Sequence, residues 1–153
     1  MAKIVVGTDG SPSAQHAVGW ALGEARLRKA PLHIVHAWTV PLMEALPEPW
    51  LLATPIGHTD DELEDRLAAG AREFLEATVA EAKAAAPELD VIGELAEMRP
   101  AAALLAAARD ADLLVVGSRG HGGFAELLLG SVSHECAQRA PCPIVIVRRR
   151  QAA

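Results

Sequence analysis

Two glycine-serine clusters near the end of the chain are spaced to hold an anion. Gly117-Ser118-Arg119-Gly120 is followed, after nine residues, by Gly130-Ser131-Val132-Ser133. The apolar run Leu113-Leu114-Val115-Val116 enters the first glycine, and a helical pattern leaves the last serine. This is a strand, a glycine-punctuated loop, and a helix start with hydroxyls on its first turn. Glycine lets a backbone approach a ligand closely. The unpaired N–H groups of a helix start, at the positive end of its dipole, then face the negative charge. Ser131 and Ser133 add hydroxyl donors, and Arg119 and His121 bracket Gly120 where outer phosphates would lie. Phosphate, and therefore a nucleotide, is the ligand chemistry this spacing implies.

A second polar feature stands near the other end. Asp9, in Gly7-Thr8-Asp9-Gly10-Ser11, ends the first apolar run. It is placed either to shape a turn, as Asp-Gly pairs do, or to accept hydrogen bonds from sugar hydroxyls.

Other phosphate motifs fit less well. Gly120, Gly122 and Ala125 match G-x-G-x-x-G/A, but only one strand remains before the chain ends, so the acidic residue that would hold a ribose has no place. No Gly-Lys pair exists, which excludes the Walker loop and its phosphate-binding lysine. No G-x-S-x-G elbow surrounds Ser118 or Ser131. His33 and His36 lie inside a strand pattern and read as structural, and no histidine pair has metal-ligand spacing. Cys136 and Cys142 read as free thiols. No catalytic residue is assigned.

These features need a scaffold. Apolar runs alternate with helical patterns along all 153 residues, so a single domain spanning 1–153 is expected. Strands are predicted at 4–8, 32–38, 91–95, 113–117 and 143–147. Helices are predicted from Ser11-Pro12, from Thr59 or Asp60 to Pro87, from Pro100 to about Arg109, and from Ser131 to Arg139. The second helix is expected to turn Leu63, Leu67, Ala71, Phe74, Thr78 and Ala82 inward. The Pro-rich stretch from Pro41 to Pro55 reads as irregular. Short Val/Ile-rich strands alternating with helices imply an open five-stranded parallel sheet with helices on both faces. In the order 3-2-1-4-5, strands one and four are neighbours, and the strand order reverses between them. Ligands of such sheets sit beyond the strand carboxyl ends at that reversal. Asp9 and the glycine loop then face one crevice.

Composition narrows the partners. A net charge of -6, no Tyr and two Phe argue against a nucleic-acid surface. Arg148-Arg149-Arg150 is the only basic run and reads as a solvated tail. No apolar run is long enough to span a membrane, and the N-terminal apolar stretch is short for a signal peptide, so a cytoplasmic address is expected. The uniformly apolar edge strand Ile144-Val145-Ile146-Val147 invites pairing with a second copy, and a homodimer is expected.

Taken together, the chain resembles the universal stress protein family over nearly its whole length. The resemblance rests on Gly117, Gly120, Gly130 and Ser131, which match the G-2x-G-9x-G-[S/T] motif of its ATP-binding branch. The segments 4–11, 111–120, 127–133 and 140–147 also resemble family members. The resemblance implies an adenine nucleotide alpha hydrolase-like fold that binds ATP, commonly with Mg²⁺ or Mn²⁺, and is often dimeric through the last strand. It implies adenine near Thr8, Asp9 and the backbone of Ala37, with Asp9 also serving the ribose. Gly117, Gly120, Gly130, Ser131 and Val132 would surround the phosphates, joined by Ser133; Gly7, Val116, Arg119 and His121 complete the candidate nucleotide-binding set. The implied role is nucleotide-dependent regulation in a stress response. Slow ATP hydrolysis and a scaffold that binds no nucleotide stand as alternatives. One departure is Met98, at a place where relatives often carry Gly; a side chain there is expected to narrow the adenine end.

Overall fold

Alternation along each strand sorts side chains to two opposite cores. A computed structural model describes residues 2–40, 60–120 and 128–149. In chain order its elements are β1 (Ile4–Gly7), α1 (Pro12–Arg28), β2 (Leu32–Trp38), α2 (Asp60–Ala85) and β3 (Val91–Glu97). Then come α3 (Pro100–Ala107) with a 3₁₀ turn (Ala108–Asp110), β4 (Leu113–Gly117), α4 (Ser131–Arg139) and β5 (Ile144–Val147). The sheet order is β3-β2-β1-β4-β5, all pairs parallel, with Ile4 in register with both Leu32 and Leu113. The predicted order 3-2-1-4-5 is the observed one.

Ile4, Val6, Leu32, Ile34, Val91, Leu113 and Val115 face α1 and α2, where they meet Ala17, Val18, Ala21, Ala25, Leu75 and Ala82. Val5, Val35, Leu114 and Val116 face the other way, onto Ala101, Leu104 and Ala107 of α3 and Cys136 of α4. Ile4, Val5 and Val6 are fully buried. A strand covered on both faces needs an unbroken apolar run, and that is why periodicity of two is missing from β1 and β4.

The helix ends follow local chemistry. The Ser11 hydroxyl accepts from the Ala14 amide at 3.2 Å and Pro12 fills the first position of α1, which closes at Lys29 in a left-handed conformation (φ 53°). Pro100 opens α3 in the same way, though Arg99 gives no side-chain cap.

Two expectations about α2 require correction. Leu63 is exposed, and Leu75, absent from the expected inner face, is 6% exposed and part of the core. A helix of 26 residues is about 39 Å long, whereas a seven-residue strand spans about 23 Å. The first turns of α2 therefore overrun the sheet, and the buried stripe starts at Ala71. Small differences occur elsewhere: β3 continues to Glu97, two residues past the predicted end, and β5 begins at Ile144. The Pro-rich stretch at 41–59 lies outside the described residues.

Candidate functional site

Beyond the carboxyl ends of β1 and β4, where the sheet order reverses, a cleft of about 380 Å³ opens. That volume lies within the usual range for small-molecule sites. Four sets of residues form its walls.

The first wall is the turn after β1. Thr8 is anchored at both main-chain groups: its amide donates to the Val35 carbonyl at 2.9 Å, and His36 Nδ1 lies 2.9 Å from its carbonyl oxygen. His36 also meets Phe74 edge-on, ring centroids 4.7 Å apart. The structural role expected for His36 is thus the one it performs. Asp9 Oδ1 accepts from the Ser11 amide at 2.9 Å, across a Gly10 whose φ of 79° only glycine adopts easily. Asp9 therefore shapes the turn and also lines the cleft. The two readings of this residue are compatible.

The second wall is the 117–120 loop, and its glycines answer to particular neighbours. A Cβ at Gly117 would lie 2.7 to 2.9 Å from the Ser13 hydroxyl, carbonyl carbon and carbonyl oxygen. Glycine here lets the first turn of α1 press against the end of β4. Ser13 uses that closeness: its hydroxyl accepts from the Arg119 amide at 3.3 Å and lies 3.5 Å from Ser118 Oγ. At Gly120 a Cβ would meet Asp9 Oδ2 at 2.8 Å.

The third wall is the start of α4. Gly130 caps this helix with no side-chain hydrogen bond, so no cap side chain consumes the amides of its first turn. Its own amide donates to the Ser118 carbonyl at 2.7 Å. A Cβ on Gly130 would sit 3.3 Å from the Arg119 Cα, so glycine lets the two halves of the motif touch. Ser133 Oγ is buried and reaches the Ser118 and Gly130 carbonyls at 3.1 and 3.0 Å. Its proton is directed to those carbonyls, which makes Ser133 a fastener of the loop in this structure. Ser131 is exposed at the helix start.

The fourth wall is apolar: Ala14, Val35, Pro100 and Leu104, with Ala37 and Val116. Leu104 also fits against Gly7, where a Cβ would meet its methyl groups at 2.8 Å. This surface suits a flat apolar ring system better than a second charged group.

Of the residues singled out from sequence, the cleft brings together Gly7, Thr8, Asp9, Ala37, Val116, Gly117, Arg119, Gly120, Gly130, Ser131, Val132 and Ser133. His121 lies outside the described residues. Ala14, Val35, Pro100 and Leu104 were missed. Only Pro100 carried a signal, as the residue that opens a helix after a strand's carboxyl end. The expected narrowing by Met98 is not found: it is 42% exposed and is absent from the cleft lining.

An open parallel α/β sheet with a cleft at its reversal point, flanked by a bare helix start and a carboxylate, places the chain among the open α/β folds whose ligand sites lie at the carboxyl edge of the sheet. Within that class, the sequence profile of the universal stress protein family matches residues 1–148, and the chain belongs to that family. A universal stress protein of Thermus aquaticus is 38% identical over 149 residues, covering 95% of this chain and 97% of its own length. One from Mycolicibacterium smegmatis is 36% identical over 147 residues, 96% of this chain but 46% of that relative. The chain thus spans about half the length of the mycobacterial relatives it matches. Among solved structures, universal stress protein UspA from Lactobacillus plantarum superposes with a TM-score of 0.77 at 22% identity, covering 96% of this chain and 97% of that one. A universal stress protein in complex with cAMP superposes at 0.61 with 30% identity, covering 97% and 98%.

Proposed function

We propose that this chain is an ATP-binding universal stress protein whose occupancy by nucleotide regulates a partner. The observation that carries the reading is the shared cleft: Asp9 and the uncapped start of α4 line one hollow with an apolar wall between β2 and α3. In this reading the ring of adenine lies on Val35, Ala37, Pro100 and Leu104. The Asp9 carboxylate accepts from the sugar hydroxyls. The amides of Ser131 and Val132, with the loop amides at 117–120, face the phosphates, and Arg119 screens their charge. Support from a relative comes from the cAMP complex, whose protein shares 30% of its sequence with this chain.

The donor set suits an adenine nucleotide: Gly130 supplies no side-chain cap, and Ser131 and Val132 of the first turn of α4 line the cleft. Among the described residues no three His, Cys, Asp or Glu side chains gather as a metal site. A Mg²⁺ or Mn²⁺ ion accompanying the triphosphate would be held through phosphate oxygens, which it would help to neutralise. We further infer that β5 pairs with a second copy of itself. It lies at the sheet edge, and its four residues are only half-buried in the single chain.

Mass spectrometry of nucleotide released from the purified protein, followed by calorimetric titration with ATP, AMP and cAMP, tests the reading. ATP should bind with a one-to-one stoichiometry and negligible turnover. Steady release of ADP, abolished in Gly117→Ala, would favour an ATPase; no binding of any adenine nucleotide would leave only the scaffold reading.

A further inference from the structure

We propose that Gly120 is a positioning residue for Asp9, so that its missing side chain governs sugar recognition and not phosphate contact. The inference rests on the nucleotide reading of the cleft. Asp9 comes from the turn after β1 and Gly120 from the loop after β4, yet the two are in contact. A Cβ built at Gly120 lies 2.8 Å from Asp9 Oδ2, and among the described residues Asp9 Cγ, at 4.0 Å, is the one other atom within reach. The other oxygen, Oδ1, is held by the Ser11 amide at 2.9 Å. Oδ1 is therefore held by the carboxylate's own turn, while Oδ2 stands where a Gly120 side chain would have to go.

This differs from the other two motif glycines. A methyl group on Gly117 meets main chain of Ser13, and one on Gly130 approaches main chain of Arg119 and Gly120. Those substitutions disturb the frame of the loop. At Gly120 the obstacle is a side chain that can rotate, and the backbone there is outside the left-handed region, so alanine carries no conformational strain. The least costly response to Gly120→Ala is rotation of the Asp9 carboxylate off Gly120. The start of α4 stays where it is, because Ser133 and the Gly130 amide still bind it to residue 118. Phosphate contact survives and the sugar acceptor is displaced.

The test uses calorimetric titration of the full chain with ATP, 2′,3′-dideoxy-ATP and AMP. The ATP to dideoxy-ATP affinity ratio reads the sugar, and the ATP to AMP ratio reads the outer phosphates. In the wild type ATP should bind about tenfold or more tightly than the dideoxy form, the usual effect of hydrogen bonds to a charged acceptor. Gly120→Ala should bring that ratio to within about twofold of one and leave the ATP to AMP ratio unchanged. Asp9→Ala should do the same, and adding Gly120→Ala to it should change neither ratio, since nothing remains to collide. The double variant also serves if the single one folds poorly, because it removes the overlap. Loss of the ATP to AMP ratio in Gly120→Ala with the sugar preference intact would overturn the proposal, as would a further effect in the double variant. A wild type that binds ATP with no sugar preference would overturn it while leaving the nucleotide reading standing. A wild type that binds none of the three would remove the nucleotide reading as well.

Discussion

A methyl group added at Gly117 collides with main chain. In Gly117→Ala the new Cβ would stand 2.7 Å from Ser13 Oγ, 2.8 Å from its carbonyl carbon and 2.9 Å from its carbonyl oxygen. Real Cβ atoms do not sit that close to backbone, so the first turn of α1 must withdraw from β4. Overpacking of this kind costs about 1–3 kcal/mol, offset by about 0.4–1 kcal/mol because alanine restricts the unfolded chain. A net loss of about 1–2 kcal/mol is expected. With a urea slope of about 1–3 kcal/mol per molar, the unfolding midpoint should fall by about 1 M. The same displacement carries Ser13 Oγ away from the Arg119 amide, now 3.3 Å distant, so nucleotide affinity should fall with stability. Gly19→Ala and Gly23→Ala are the internal controls. Both lie in α1 with nothing within 4 Å of the added Cβ, and each should raise stability by about 0.5–1 kcal/mol. Urea denaturation followed by circular dichroism reads all three variants. If Gly117→Ala unfolds at the wild-type midpoint and binds nucleotide as the wild type does, the packing argument for this glycine is wrong.

Three further outcomes are expected. The carbonyls of Pro143, just before β5, and of Val147 accept from the amides of Leu114 and Ser118, so the main-chain groups of odd-numbered residues point toward β4 and Ile146 presents its amide to the open edge. Ile146→Pro should therefore yield monomers in sedimentation velocity, whereas Val145→Pro should break the internal ladder; a dimer surviving Ile146→Pro would remove the edge-pairing inference. Burial, then the charge of Lys3, holds the His33 imidazole below its ordinary 6.5, against the opposing pull of Glu94, Asp110 and Asp90. The unfolded state thus takes up the proton more readily, and stability should decline as pH falls through 6.5 toward the lower folded value. His33→Gln should flatten that part of a urea-midpoint profile, and an unchanged slope would exclude His33 as its source. Burial also pushes the Cys136 thiol up to about 11, and Cys142, half-buried, is raised as well. Iodoacetamide near neutral pH should label Cys142 first and reach Cys136 only on unfolding, as peptide mass spectrometry would show; equal rates would contradict the buried placement.

The fold was largely legible because its signals are local. Ser11-Pro12 and Pro100 mark helix starts, Gly7 and Gly117 end apolar runs, and right-handed parallel crossovers leave few sheet orders. The site was half legible for the same reason: the glycine-serine pattern and Asp9 announce polar chemistry by type and spacing. What spacing does not carry is which atom occupies the space a glycine leaves. Ser13 stands behind Gly117 and Asp9 beside Gly120, contacts across more than a hundred residues that exist only once β1 and β4 are neighbours. The apolar wall was hidden likewise. Leu104 and Ala14 are apolar helix residues with no local mark of a site; α3 lying over the end of β1 makes Leu104 cleft lining, and the first turn of α1 brings Ala14 there. Leu63 was misplaced because periodicity reports which face of a helix is apolar and says nothing of how far the sheet beneath it extends.

A crystal structure grown with excess ATP tests the central claim most directly. The account predicts the triphosphate against the amides of residues 131–133 and the 117–120 loop. It places a ribose hydroxyl within hydrogen-bonding distance of Asp9 and the base against Leu104 and Ala37. A vacant cleft in crystals that bind ATP elsewhere, or a nucleotide seated with its base at the start of α4, would contradict it.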